Sequence, residues 1–203
     1  MHPGGTFDWT DREAMLRFVG QQAFAHIFAA SDAGLFVVHA PVLVTGDGKV
    51  RFHLGRRNRI VDHLDGRAAL ISVLGRDSYH SANWYVSPNQ VPTWHYESVE
   101  IEGPVRRLSN DELVDQLDGL SAEMEGRFSP DKPWTRAKMD ESAFSAMTKA
   151  LAGFEVDPSD VRGTRKFNQH KKGADLTATI DGQREAGRRD IVEAIEEVLP
   201  SDK

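Results

Sequence analysis

The side chains with the clearest chemical capacity lie between Tyr79 and Tyr96, in the run Tyr-His-Ser-Ala-Asn-Trp-Tyr-Val-Ser-Pro-Asn-Gln-Val-Pro-Thr-Trp-His-Tyr. This run holds two of the four tryptophans and all three tyrosines of a chain that is only 8% aromatic. Rings with polar tips suit the wall of a site for a flat ligand with hydrogen-bonding edges. The same composition also suits a stiff loop leading into a core strand. Two basic segments accompany it. Arg56, Arg57 and Arg59 stand beside Gly55 and Asn58 just past an expected strand. Guanidinium forks and free backbone amides at a strand end are what a phosphate needs, and a solvated basic turn has the same look. Arg162, Arg165, Lys166, Lys171 and Lys172, with His170, form the densest basic run. It reads as a solvated tail, a nucleic-acid patch or a clamp on a phosphate.

Other chemistries lack their signatures. The chain has no cysteine, which excludes disulfides, thiolate metal sites and cysteine catalysis. His39, His53, His63, His80 and His95 are scattered, without the helical spacing or carboxylate pattern of a metal site. His26 and His39 fall on neighbouring expected strands, where they can approach one another. There is no nucleophile elbow, P-loop or dinucleotide fingerprint, so no catalytic residue is assigned. A net charge of -6 and a pI near 5.7 do not describe a chain built to coat nucleic acid or an anionic membrane. Met1-His-Pro-Gly-Gly lacks the basic start and apolar run of a signal peptide, and no segment is apolar enough to span a bilayer. A cytoplasmic protein is expected.

The elements that must position these residues read as follows. Thr10-Asp-Arg-Glu13 is a capping box for a short helix with Met15, Leu16, Phe18 and Val19 on its apolar face. Ala23–Ala30, Leu35–Val44 and Lys49–Leu54 are strands, the last two joined by the hairpin signal Thr45-Gly-Asp-Gly48. Arg59–Leu64 makes a turn or two of helix, and Ala68–Leu74 a buried strand. From Glu97 to Arg107 the alternation is clean, with Val99, Ile101, Gly103 and Val105 on one face. Ser109-Asn-Asp-Glu112 opens a second helix with Leu113, Leu117, Leu120 and Met124 as its stripe. Glu141–Leu151 is a third helix and Phe154–Val161 a last strand. Asp175–Gly182 reads as loose, and Gln183–Leu199 as one amphipathic helix. Antiparallel strands interrupted by helices predict an α+β barrel rather than βαβ repeats. The expected division is a domain over 1–175 and a C-terminal helical extension over 176–203.

Four segments, in order, resemble the PaiB-like family of FMN-binding negative transcriptional regulators. They are His53, Arg56 and Asn58; Tyr79, Ser81, Trp84, Tyr85, Val91-Pro-Thr-Trp94 and Tyr96; Gly153-Phe-Glu155; and Gly163, Lys166 and Gln169. The resemblance implies the split β-barrel of antiparallel strands seen in pyridoxamine phosphate oxidase-like flavoproteins, with peripheral helices, and a homodimer holding FMN in clefts between subunits. It implies that this strand and the turn after it, with Arg56, Arg57 and Asn58, meet the phosphate and ribityl chain, that His53 points at the flavin or fills the barrel, and that Lys166 and Gln169 form a second clamp. Ser81, Trp84, Thr93 and Trp94 are then the surroundings of the flavin ring, or else plugs for the barrel or the subunit seam. Four positions depart from the family pattern: Arg59 for proline, His95 for asparagine, and Asn168 and His170 around Gln169. The expected function is a flavin-binding regulator or redox sensor. A flavin-dependent oxidoreductase or flavin reductase is the alternative, and a haem-binding split barrel a weaker one. With no helix-turn-helix and an acidic chain, direct sequence-specific DNA binding by the isolated protein is not expected.

Overall fold

A computed structural model describes residues 5–199; the Met1-His-Pro-Gly4 start read for a signal peptide lies outside the described residues. Its elements run β1 (Asp8–Trp9), α1 (Arg12–Gln22), β2 (Phe24–Ser31), β3 (Gly34–Val44), β4 (Val50–Gly55), β5 (Ala68–His80), β6 (Thr93–Arg107), α2 (Asn110–Phe128), α3 (Glu141–Thr148), β7 (Leu151–Val156), β8 (Asp160–Lys166), α4 (Gly173–Glu185) and α5 (Arg189–Val198). They fall into two compact units. One comprises residues 12–73 and 100–161; the other comprises the residues up to 11, 74–99, and those from 162 on.

The first unit is a closed antiparallel barrel. Its strands follow the order β6-β5-β2-β3-β4-β7, and β7 pairs back onto β6 through Val105↔Val156 to Arg107↔Phe154. Period-2 alternation fills the interior. Val50, Phe52 and Leu54 point in from β4, Phe154 and Val156 from β7, Ile27 and Ala29 from β2, and Val99, Ile101 and Val105 from β6, all buried. Phe52 and Phe154 are register partners whose rings stack 5.5 Å apart. Gly103 on the same β6 face is obligatory, since a Cβ there would fall on the Asp157 carbonyl where the chain leaves β7. Helix α2 covers the outer face of β4 and β7, starting from a complete capping box between Ser109 and Glu112. Gly153 admits Leu108 and Leu113 to within 3.0 and 3.1 Å of its Cβ position. On the same outer face the buried Glu155 accepts from Arg51 at 2.6 Å and Arg106 at 2.7 Å.

The outward face of β2 and β3 is apolar as well. Its cross-strand pairs are Phe24↔Pro41, His26↔His39, Phe28↔Val37 and Ala30↔Leu35. The two histidine rings meet edge-on at 4.7 Å, as their expected strands allowed.

In the second unit the outer ends of β5 and β6 continue the hairpin, joined by β8 and then β1. Phe167, Ile191, Ala194 and Ile195 form its apolar core, flanked by Leu176, Ile180, Val198 and Leu199. Two sequence expectations need correction here. The segment read as loose is helix α4; it buries Thr179, Gly182 and Gln183, so hydrophobic periodicity gave no signal. The helix read as continuous from Gln183 breaks at Gly187, which has φ 75°, and resumes as α5. A third correction concerns the last strand, read as Phe154–Val161. It is two strands, because Asp157-Pro-Ser159 turns the chain and β8 then carries Arg162–Lys166.

Candidate functional site

The aromatic segment is built on a hairpin whose two sides have different fates. In β5 and β6, alternate residues face opposite ways. Ser78, His80, His95 and Glu97 are buried, whereas Tyr79 and Trp94 are half exposed. Tyr79 and Trp94 meet edge-to-face at 6.0 Å, and the indole Nε1 donates to Asp77 at 2.9 Å. That leaves an aromatic platform with a carboxylate at its rim. Ser81 caps the short 3-10 turn Ala82–Trp84 by accepting from the Asn83 amide at 3.2 Å. The turn folds Trp84 back beneath Gly182 of α4, so close that a Cβ there would lie 2.7 Å from the indole Cγ. Trp84 also meets His80 edge-on at 4.9 Å.

Thr93 opens β6, and Lys166 closes β8. The ammonium donates to the Thr93 hydroxyl at 2.8 Å. Among the described residues Lys166 has no carboxylate within ion-pair distance, so its charge is left for an anion. Lys171 sits 4.5 Å above the Tyr85 ring and donates to Gln90 at 2.7 Å; its charge is felt by Asp175, but among the described residues no carboxylate lies within ion-pair distance of it. Gln169 is used locally. Its Oε1 accepts from the Phe167 amide, and its Nε2 donates to the Arg165 and Thr6 carbonyls. Arg165 lies 3.6 Å over the Trp9 ring and 3.4 Å from Glu97. The basic run is therefore not uniform: Arg165 is neutralised and stacked, while Lys166 and Lys171 are available.

The other predicted residues belong to the barrel unit. Arg56 donates Nε to the Lys149 carbonyl at 3.0 Å and Nη2 to the Leu151 carbonyl at 2.9 Å, tying the end of β4 to the start of β7. Arg56 and Arg57 are both exposed. Asn58 accepts from the Ile60 amide and fixes the turn. Arg59 lies 5.2 Å over Phe36, which stacks on His63 at 4.8 Å. His53 alternates with the inward Phe52 and Leu54, so it turns to α2, where Nδ1 meets Gln116 Oε1 at 3.1 Å. Burial lowers its pKa, and the Gln116 bond opposes the shift. Among the described residues no group of three or more metal-ligating side chains occurs.

The structure thus brings Thr93 and Lys166 together, and Ser81 and Trp84 together. Trp94 stands on the opposite face of the hairpin. His53, Arg56, Arg57 and Asn58 form a separate set in the barrel unit. Sequence reading missed Thr179 and Gln183, and it named Tyr85 and Asn168 only as parts of the family segments, without a role. The Asn168 amide donates to the Tyr85 hydroxyl at 2.7 Å, and it meets Thr179 Oγ1 at 3.4 Å. A signal was present in Asn168, whose φ of 60° is a conformation that asparagine tolerates better than most residues.

A phosphate-bearing ligand with a flat ring can be tested against this donor set. Within the second unit, the Lys166 ammonium beside the Thr93 hydroxyl suits a phosphate and the half-exposed Trp94–Tyr79 pair suits a flat ring; within the barrel unit, the exposed Arg56 and Arg57 suit an anion. The residues fit.

Comparison with known proteins gives three findings. A family model described as "Putative FMN-binding domain" matches residues 1–160. The protease synthase and sporulation protein PAI 2 of Bacillus subtilis is 26% identical over 185 residues, covering 86% of this chain and 85% of that protein. Among solved structures, the flavocytochrome Anf3 from Azotobacter vinelandii aligns with TM-score 0.60 at 13% identity, over 85% of this chain and 73% of that one. The FAD and heme binding protein from Mycobacterium smegmatis aligns with TM-score 0.57 at 16% identity, over 78% and 73%. At those identities the two structures speak for the fold alone.

Proposed function

The chain belongs to this family of FMN-binding domains, with FMN as its cofactor, and from that membership we propose that it acts as a flavin-loaded regulatory or redox-sensing homodimer whose effect on transcription is indirect. The observation that carries the reading is the Lys166–Thr93 pair: a cation with a hydroxyl at 2.8 Å and no carboxylate, which suits the phosphate end. Arg56 and Arg57 form a separate basic set in the barrel unit, and Trp94 with Tyr79 offers flat contact for a ring in the second unit. When bound, FMN supplies redox chemistry at its ring system, and the protein's part is to hold, orient and shield it. The name of the Bacillus subtilis relative joins it to protease synthesis and sporulation. Carried to this chain, that supports a role in control rather than in metabolism.

The test is the absorbance of the purified protein and its response to reductant. Paired flavin bands in the blue and near-ultraviolet are expected, with no rapid anaerobic bleaching by NADH or NADPH. Rapid bleaching by either nucleotide would move the protein to the flavin reductases. A Soret band in place of flavin bands would overturn the reading.

The homodimer part of the proposal rests on the outward face of β2 and β3. Leu35 is 84% exposed, Phe24 55%, Val37 45% and Phe28 40%. An antiparallel sheet that is apolar on both faces needs a cover for the outer one. Leu35→Asp with Val37→Arg is expected to give a monomer in sedimentation at micromolar concentration, where the parent chain is a dimer, with unchanged far-ultraviolet circular dichroism. A parent chain that sediments as a monomer removes this part of the proposal.

A further inference from the structure

On the buried side of the β5–β6 hairpin, two imidazoles face α4 instead of solvent. His80 and His95 are fully buried and stack with centroids 4.9 Å apart and planes 29° from parallel. Trp84 and Tyr85 close around His80 at 4.9 and 4.6 Å, and Phe167 lies 6.1 Å from His95. Neither ring nitrogen of His80 has a hydrogen-bond partner among the described residues, and neither does Nε2 of His95.

The polar contact to this pair comes from α4. Gln183 Nε2 stands 3.4 Å from His95 Nδ1. The amide is held in one orientation, because its Oε1 accepts from Ser78 Oγ at 3.1 Å and its Nε2 donates to the Tyr79 carbonyl at 3.1 Å. An amide nitrogen can only donate, so Nδ1 must present its lone pair. Protonating it would set N–H against N–H at the point where α4 is latched. Gly182 lies next to Gln183 on Trp84, and Thr179 meets Asn168. Leu176 and Ile180 of α4 pack on the Phe167, Ile191, Ala194 and Ile195 core, whereas Thr179, Gly182 and Gln183, which meet the hairpin side, bring no large apolar side chain, so the hold on the hairpin rests on this polar latch.

The charges around the pair give an imidazolium no relief. Lys171 acts on His80; on His95 the strongest charge is that of His80 itself, followed by Lys166 and His170, and only the Asn168 side chain opposes them. The carboxylates on the packed elements are already engaged. Glu97, two residues along β6 from His95, is held by Arg76 at 2.7 Å and Arg165 at 3.4 Å. Asp175 at the start of α4 accepts from the Val86 and Ser87 amides at 2.9 Å. On α5, Glu197 is bound by Arg76 and Asp190 by Arg188.

We propose that α4 is an acid-released cap, latched through Gln183 on a neutral His80–His95 pair and freed from the hairpin when the pair takes up protons. Burial, with the neighbouring cations, pushes His80 down to about 4 and His95 to about 3 from an ordinary 6.5. Both values are depressed in the closed form, so the latch is at full strength above pH 6.5 and weakens as pH falls toward the closed-form values. Each histidine favours the open form by about tenfold per pH unit in that window, and the two together by up to about a hundredfold. The inference does not depend on the cofactor and is tested on the flavin-free full chain.

Hydrogen exchange of the α4 amides, corrected for the intrinsic pH dependence of exchange, is followed from about pH 7.5 to about pH 4.5, the span where histidine titrates. In the parent chain, protection of Thr179–Gln183 is expected to be level above pH 6.5 and to fall below it with a slope approaching about tenfold or more per pH unit, while that of the barrel strands stays level. In the His80→Phe, His95→Asn double variant the slope is expected to vanish, since Asn keeps an acceptor for Gln183 but does not titrate. Level protection in the parent chain, or an unchanged slope in the variant, overturns the proposal. Should the variant fail to fold, NMR titration of the parent imidazoles decides. Proton uptake by His80 and His95 coincident with loss of α4 protection supports the latch, and independent titration near 6.5 with α4 still protected overturns it.

Discussion

Replacing Glu155 with alanine is expected to lower the stability of the barrel by about 3 kcal/mol, with about 5 as the upper end for breaking a buried ion pair from one side. Glu155 is 2% exposed, and its two oxygens receive Arg51 at 2.6 Å and Arg106 at 2.7 Å, with Lys49 at 3.7 Å. Removing the carboxylate leaves three cations facing one another at the seam where β4, β7 and the end of β6 meet. Water reaches Arg106, which is 47% exposed and keeps Glu112, so the lower figure is the better expectation. Glu155→Gln retains the shape and the acceptor and separates charge from packing. It is expected to lose less than alanine, but more than a surface pair is worth, about 1 kcal/mol. Urea midpoints for the three proteins decide the matter. An alanine variant within about 1 kcal/mol of the parent would show that the network is solvated and carries little.

Glu155 also shows what could be read in advance. The Gly-Phe-Glu triplet is legible as a strand, and each of its residues has a physical reason. Gly153 admits Leu108 and Leu113, Phe154 stacks on Phe52 inside, and Glu155 binds the arginines outside. Strict alternation carries that information, which is why the barrel strands were predictable from Val99 to Val105 and from Val50 to Leu54. The second unit was less legible. Its long strands meet through a 12-residue connection between His80 and Thr93, so nothing in the sequence sets the register that stacks His80 on His95. Helix α4 buries Thr179 and Gly182, which read as loose, and Gln183, which read as the start of the next helix. The Asp157-Pro-Ser159 turn was hidden because the residues on both sides of it are strand-like.

The candidate site was legible as composition and only partly as geometry. Lys166 was picked out by its segment, and its partner Thr93 by the aromatic run; that they touch follows from β8 lying beside β6. His53 was assigned to the flavin or the barrel interior. Its register on β4 turns it instead toward Gln116 of α2, a glutamine in the middle of an otherwise apolar stripe. Arg56 combines two tasks that the sequence cannot separate. It binds the Lys149 and Leu151 carbonyls, and it stands exposed beside Arg57.

Those two tasks shape the other large expected effect, in which Lys166→Ala and Arg56→Ala each weaken FMN binding by about 1.5–3 kcal/mol, or roughly 10- to 150-fold. The basis is charge: a phosphate loses one ionic donor in either variant. For Lys166 the ammonium at 2.8 Å from Thr93 has no competing carboxylate, so its removal disturbs little else. Riboflavin, which lacks the phosphate, is expected to bind the Lys166→Ala variant as it binds the parent. Lys166→Arg keeps the charge and is expected to recover part of the FMN affinity. For Arg56 the side chain also ties β4 to β7, so a small loss of thermal stability is expected alongside, and Arg56→Lys should restore charge without restoring both carbonyl bonds. Titrations of FMN and riboflavin at two salt concentrations separate the cases, because a phosphate contact weakens with salt and a stacking contact does not. If Lys166→Ala loses riboflavin as strongly as FMN, the lysine supports the fold and the phosphate lies elsewhere. If neither ligand is affected by either variant, the anion site is in the wrong place, while family membership and the flavin itself stand untouched.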